Sequence, residues 1–382
     1  MECQKQLFSL NETDRYINCA YMSPLLSSVQ EAGMEGIKRK NNPQTISAND
    51  FFQPVAALKG ALCTLIHASD PASIAIIPSA SYGISTSARN IPYKRGQNIV
   101  IVAEEFPSNY YCWLRMAQEH ELELRVVGFD SAENRDVSWN QNLLEAIDEQ
   151  TAVVAVSPVH WFYGTVFDLA GIAEIIKGTE TYFVVDGTQS VGIQKIDVVS
   201  LGIDALICAG YKWLMGPYSL GFAYYGPRFQ HGQPLEENWI IRAGRENFAT
   251  LTDYTPYYTA GAGRYDMGET SNFILVPMLL QAVRQINSWG VENMYAYVNS
   301  ICQSTVTKLR QLGLVNASEE GFTAHLFSVA VPPDKIDSLK DQLVQEQFYM
   351  SFRSNYLRIS PNVYNTAEEM QQLAELLEKH LC

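Results

Sequence analysis

The chain has 382 residues, 47% hydrophobic and 18% charged, so it is long enough for a large domain plus a smaller one and too apolar to stay disordered. A formal net charge of −14 argues against binding nucleic acid, which needs clustered Lys and Arg. The seven cysteines are scattered with no CxxC pair, and no stretch reaches the ~18 apolar residues of a membrane helix, so a cytoplasmic protein without disulfides, structural metal or membrane anchor is expected.

Seven short apolar runs read as strands: 73–77, 98–103, 122–127, 152–157, 182–186, 205–208 and 219–225. Helix-length segments at 83–90, 110–119, 140–149 and 169–177 separate the first five, the pattern of βαβ units in a largely parallel sheet. The last two runs are joined too tightly for a crossover helix, which predicts an antiparallel edge. After about Asp266 come helical patterns at 273–289 and 292–312, a strand-like 322–331 and a helix from Pro333. The tail opens with Thr366 and Glu369 at capping-box spacing and carries Met370, Leu373 and Leu377 on one face. The expected layout is an N-terminal segment over 1–25, a large domain over 26–265 and a small α+β domain over 266–382.

In an open α/β sheet, ligands bind beyond the carboxyl ends of the strands. The fifth run ends at Asp186, a carboxylate at a buried strand tip, and the sixth leads to Lys212. A structural ion pair would account for those two alone. After the first run, Pro78-Ser79-Ala80-Ser81 opens a helix whose free N–H groups and dipole favour a phosphate, although a plain N-cap serine explains it in isolation. After the second run, Phe106 offers a ring, by itself ordinary core packing. Together the four features supply what pyridoxal 5'-phosphate (PLP) requires: a phosphate cradle, a carboxylate that keeps the pyridine nitrogen protonated, a stacking ring and a lysine for the Schiff base.

These residues, together with Tyr16-Ile-Asn18-Cys-Ala20-Tyr-Met-Ser23-Pro24, Asp186-Gly-Thr-Gln189-Ser, Tyr211-Lys212-Trp-Leu-Met-Gly-Pro and Leu357-Arg358-Ile-Ser360-Pro-Asn-Val-Tyr364-Asn365-Thr366, resemble the class V aminotransferase family of fold-type I PLP-dependent enzymes. The resemblance runs nearly end to end and points to the isopenicillin N epimerase-like and cysteine desulfurase-related branch. It implies an α/β fold with a seven-stranded, mostly parallel sheet, a smaller C-terminal domain, and a homodimer with its active site at the interface. Lys212 would carry the cofactor as an imine and move the Cα proton, Asp186 would pair with the pyridine nitrogen, and Gln189 would bond the phenolic oxygen. Phe106 would stack on the ring where many relatives have a histidine. Ala80, Ser81 and Tyr211 would hold the phosphate. Thr270, in Gly268-Glu269-Thr270, would stand for a threonine that reaches the neighbouring subunit's phosphate. Arg358 would grip the substrate carboxylate through its guanidinium fork, with Asn18 and Ala20 in a segment folded over the site.

The departures from the family pattern narrow the reaction. No cysteine lies within 341–353, where desulfurases carry their nucleophile, so desulfurase activity is not expected. The run Ser157-Pro-Val-His160-Trp161-Phe162-Tyr163-Gly164 places bulky aromatics where desulfurases have an asparagine, so His160 and Trp161 are expected in a remodelled substrate wall. His160 is either a second acid/base beside Lys212, which would favour epimerisation, or a histidine satisfied in that wall. The expected function is a PLP-dependent aminotransferase acting at Cα of a small amino acid. An epimerase or a kynureninase-like lyase is the alternative; a non-catalytic PLP-binding protein would have no need for Lys212, Asp186, Gln189 and Arg358 together.

Overall fold

The computed structural model describes residues 1–130 and 135–382. The chain enters through a short strand, β1 (Arg15–Tyr16), and two helices, α1 (Ser27–Lys40) and α2 (Ala48–Leu65), the second started by a capping box of Ser47 and Asp50. The seven apolar runs then form a single sheet: β2 (Ile74–Ile77), β3 (Asn98–Val102), β4 (Glu123–Val127), β5 (Thr151–Val156), β6 (Tyr182–Asp186), β7 (Ala205–Ala209) and β8 (Gly221–Tyr225). Helices α3 (Ala80–Arg89), α4 (Ser108–His120), α5 (Arg135–Glu145) and α6 (Leu169–Ile176) link the first five of these. The helix expected over 140–149 lies earlier, because its buried stripe is Asp136, Trp139 and Leu143.

Both sheet faces are covered, which is why the strands read as unbroken apolar runs. Along β3, Ile99 and Ile101 enter one apolar cluster while Val100 and Val102 enter the other. The strand order is β2-β8-β7-β6-β5-β3-β4, with β3 to β7 parallel and β8 antiparallel to both of its neighbours. The expected antiparallel edge is corrected here. The tight β7–β8 connection does return the chain beside β7, but β2, buried along its whole length, pairs on the other side of β8 and is itself the edge. From β3 the chain winds towards one edge and from β5 towards the other, so the carboxyl ends of β3 and β5 flank the reversal point.

Beyond the sheet come α7 (Leu275–Trp289), α8 (Val291–Gln311), β9 (Phe327–Ala330), α9 (Ile336–Gln345), β10 (Phe348–Tyr349), β11 (Ser351–Arg353), β12 (Tyr356–Ile359) and α10 (Ala367–Leu381). β11, β12 and β9 form an antiparallel sheet, and β10 pairs with β1. The tail helix has the predicted capping box of Thr366 and Glu369, and it buries Met370, Leu373 and Leu377. The N-terminal segment is fastened across this region: the Cys19 amide donates to the Ser360 carbonyl at 3.0 Å, and the Ser23 amide to the Tyr211 carbonyl at 3.0 Å.

Candidate active site

A cavity of about 310 Å³ opens beyond the carboxyl ends of the central strands. Its floor is Asp186, the buried last residue of β6, whose Oδ1 accepts from the Thr188 amide at 3.0 Å. Burial raises the Asp186 pKa, and the Thr188 hydrogen bonds and the Lys212 charge pull it partly back. Lys212, in the loop after β7, is only 7% exposed. Its Nζ lies 5.6 Å from the Phe106 ring centroid and 5.7 Å from that of Tyr211. Burial first, and then the Arg358 guanidinium, lower the Lys212 pKa to about 8, with Asp186 acting in the opposite sense. A lysine in this environment holds a usable fraction of free amine near neutrality, as a nucleophile requires.

The side wall is set by a chain of hydrogen bonds. The Trp213 indole N–H donates to Gln189 Oε1 at 2.9 Å, and Gln189 Nε2 donates to the Ala20 carbonyl at 3.2 Å. This fixes the amide and leaves its second N–H for the cavity that Gln189 lines. Behind it, His325 Nε2 lies 2.9 Å from the Gln189 carbonyl and its Nδ1 lies 2.6 Å from the Thr323 hydroxyl. A carbonyl only accepts, so Nε2 carries the hydrogen, and burial, driving the His325 pKa down to about 4, keeps the ring neutral.

Ala80 and Ser81 begin α3 on the opposite wall, where the first helical amides have no partner within the helix. Ser79 Oγ accepts from the Tyr82 amide at 3.2 Å and lies 2.9 Å from Ser81 Oγ, so the hydroxyls cluster at the helix mouth. Tyr211, Phe106 and Trp161 line the same cavity, Phe106 partly exposed.

Arg358, on β12, is 1% exposed, and its Nη1 donates to the Trp161 carbonyl at 3.1 Å. Among the described residues its Nε and Nη2 have no hydrogen-bond partner. These two nitrogens form one edge of the guanidinium, the edge that takes a carboxylate bidentately, and leaving it unpaired in a buried place carries a full desolvation penalty. Burial, followed by Arg353, lowers the Arg358 pKa to about 9.

Other expected residues lie elsewhere. Asn18 is buried with its Oδ1 accepting from the Ser351 hydroxyl at 3.0 Å, and Ala20 donates its amide to Ser360 Oγ at 3.1 Å; both act by anchoring the covering segment. Thr270 is buried and donates to the Met267 carbonyl, away from the cavity of its own chain. The expectation for His160 is corrected. Its ring is stacked on Tyr163 (centroids 5.3 Å) and packed on Trp139 (4.8 Å), with Nδ1 accepting from the Tyr163 amide at 3.3 Å. Burial drives its pKa down to about 3, so it is a neutral packing residue outside the cavity.

Sequence reasoning assigned no role to Glu105, although it sits one residue before Phe106 at a strand end. It is buried and accepts from the Phe106 amide at 2.7 Å, Ser157 Oγ at 3.1 Å and Asn109 Nδ2 at 3.3 Å. Burial, and then the Asp186 carboxylate, push its pKa up to about 7. Thr188 was also passed over: its Oγ1 accepts from the Ala209 amide at 3.2 Å, tying β6 to β7 beside Asp186.

An acid, an amine, helix-start amides, hydroxyls and an aromatic ring line one cavity; with the unpaired guanidinium edge of Arg358, which is not itself among the lining residues but whose charge acts on Lys212, they fit a phosphorylated pyridine aldehyde and an amino acid. The aminotransferase class-V family model matches residues 39–373. The chain belongs to the class V aminotransferase family. This is a family of fold-type I PLP-dependent enzymes. An uncharacterized aminotransferase of Schizosaccharomyces pombe is 24% identical over 98% of this chain and 94% of its own length. An uncharacterized aminotransferase of Bacillus subtilis is 26% identical over 97% and 95%. Among solved structures, the cystine C-S lyase C-DES, in a variant with glycine covalently linked to its PLP cofactor, superposes with a TM-score of 0.85 at 20% identity, covering 99% of each chain. That likeness shows the fold.

Proposed function

We propose that this chain is a PLP-dependent aminotransferase in which Lys212 carries the cofactor and moves the proton at the substrate Cα. The observation that carries this reading is that Lys212 and Asp186 share one buried cavity without forming an ion pair, each with a pKa displaced by burial. When bound, the cofactor supplies an electron sink for the pair left at Cα.

The residues divide the work. With PLP bound, Asp186 would keep the ring nitrogen protonated, the amides and hydroxyls at Ser79, Ala80 and Ser81 with Tyr211 would hold the phosphate, Phe106 would pack on the ring, and Gln189 would donate to the phenolic oxygen. Arg358 takes the substrate carboxylate on its Nε–Nη2 edge and so fixes which bond at Cα faces Lys212. Lys212 Nζ, as free amine, would accept the Cα proton and deliver it to the cofactor carbon beside the transferred nitrogen, the net proton shift that transamination requires. Epimerisation gains no support from His160, which is neutral and outside the cavity.

The reading extends to a homodimer in which the turn bearing Thr270 faces the neighbouring subunit, supported by the exposed Glu269 that presents this turn at a positive φ of 58°. It also extends to a reducing cytoplasm, supported by seven free cysteines. Among the described residues no helix is long and apolar enough to cross a membrane.

The test is the visible absorbance of the purified protein with PLP, followed by acceptor-dependent conversion of amino acids to keto acids. Lys212→Ala is expected to lose the covalent cofactor band and at least roughly a thousandfold in rate. A Lys212→Ala protein that keeps the wild-type band overturns the assignment.

A further inference from the structure

We propose that Trp161 is a specificity-determining residue that selects an amino acid with an apolar side chain, aromatic or branched, over alanine and over dicarboxylic amino acids. The inference deepens the proposed function and rests on it.

The carboxylate anchor and the indole are parts of one construction. Arg358 Nη1 holds the Trp161 carbonyl at 3.1 Å, while the Nε–Nη2 edge is left for the substrate. Trp161 lines the same cavity as Lys212, so a substrate whose carboxylate is held on that edge and whose Cα faces Lys212 would lie against it. The polar atom of the indole is already used: Nε1 donates to the Glu104 carbonyl at 2.8 Å. Phe106 stands nearly perpendicular to it, with centroids 5.4 Å apart at 82°. What faces the substrate is ring surface, which rewards apolar contact and cannot bond a second polar group.

The two carboxylates beside this wall are engaged elsewhere. Glu104 accepts from the Tyr163 hydroxyl at 2.7 Å, and Glu105 accepts from Phe106, Ser157 and Asn109. Arg353, the cation beside Arg358, turns its Nη1 back to the Phe352 carbonyl at 2.8 Å. Among the described residues Lys212 is the only cation lining the cavity, so a distal carboxylate meets no second one there.

The wall is also held by its own backbone hydrogen bonds. The His160 amide donates to Thr165 at 2.8 Å, and the Gly164 amide returns to the His160 carbonyl at 2.9 Å. Gly164 sits at φ 78°, and a Cβ there would strike the Leu326 backbone, so only glycine closes this turn. A preformed aromatic wall loses little freedom on binding, so more of the contact is retained as affinity.

The experiment titrates the PLP-loaded protein with alanine, leucine, phenylalanine and glutamate, reading dissociation constants from the change in the visible band. Phenylalanine or leucine is expected to bind roughly tenfold to a hundredfold tighter than alanine or glutamate, the scale of burying one large apolar side chain. Trp161→Ala is expected to reduce that ratio to within about threefold, and Trp161→Phe to restore most of it. Because the readout is a ratio within one protein, a lowered fraction of competent protein cancels. Equal constants for alanine and phenylalanine in the wild type, a preference for glutamate, or an unchanged ratio in Trp161→Ala overturns the specificity while leaving the site as an amino-acid site. A PLP-loaded protein whose band responds to none of the four overturns the amino-acid reading as well.

Discussion

The molecule buries two lysine–aspartate combinations, and they are built in opposite ways. Lys59, on α2, meets Asp266 at 2.7 Å, and the second oxygen of Asp266 accepts the Ile76 amide at 2.8 Å. That pair is closed: it ties α2 and the chain after β8 to strand β2, and no part of it faces the cavity. Lys212 and Asp186 have the same chemistry and similar burial, yet act on each other only at longer range. Burying charge is unfavourable unless the charges pair, so an open arrangement persists where something else completes it. Contact marks the structural pair, and separation with displaced pKa values marks the candidate site.

The widest separation between the two should appear in stability. Lys59→Ala leaves the Asp266 carboxylate buried without its partner and is expected to destabilise the fold by about 3–5 kcal/mol, the usual consequence of breaking a buried pair on one side. Lys212→Ala in the cofactor-free protein removes an amine whose charged form the fold disfavours, and at neutral pH it is expected not to destabilise the fold. Urea denaturation of both variants measures this. Equal losses would mean that Lys212 also works as a structural cation.

Much of this contrast was legible in the sequence, in an uneven way. Asp186 and Lys212 could be read because each ends an apolar run, and strand ends are where an α/β sheet exposes its site. Lys59 and Asp266 could not: 207 positions separate them, and neither lies at a strand end. The seven strands were visible as apolar runs, but the place of β8 inside the sheet depends on β2 needing a partner, a tertiary matter. His160 was misplaced because a residue's position in a loop does not give its direction; the turn closed at Gly164 aims the imidazole at Trp139 and the indole of Trp161 at the cavity. His325, which orients Gln189 from behind, carries no local signal at all.

A second prediction uses pH. The Lys212 pKa of about 8 lies below that of an ordinary lysine, so the free amine appears early as pH rises. Capture of PLP by the cofactor-free protein should accelerate by about tenfold per unit up to roughly pH 8 and then level off. Reductive trapping with peptide mapping should place the label on Lys212 and not on Lys59, whose amine is engaged by Asp266. A rate that keeps climbing to about pH 10 would show an unperturbed lysine at work. For Lys212 itself, the unfolded chain holds a proton that the fold lacks between about pH 8 and its ordinary value of 10.5, so its contribution to stability rises with pH across that window.

The smallest effect concerns Glu105, a further buried acid, which is neither closed like Asp266 nor matched to a lysine. Its pKa of about 7 is raised from an ordinary 4.5, so between those values the folded state keeps a proton that the unfolded chain releases. Stability contributed by Glu105 is therefore present at low pH and falls as pH rises through the window, by at most about 1.4 kcal/mol per unit. His160 and His325 act in the opposite sense: their pKa values of about 3 and 4 lie below the ordinary 6.5, so acid favours the unfolded chain, and their contribution falls as pH drops below that value. The wild-type profile sums these opposed trends and cannot separate them. The difference between Glu105→Gln and wild type can, because both histidines are common to the two proteins and cancel. Denaturation at pH 5 and pH 8 should show Glu105→Gln gaining about 1–3 kcal/mol relative to wild type on going to the higher pH. A difference independent of pH would mean that Glu105 is ionised throughout, held so by its three hydrogen-bond donors in spite of Asp186.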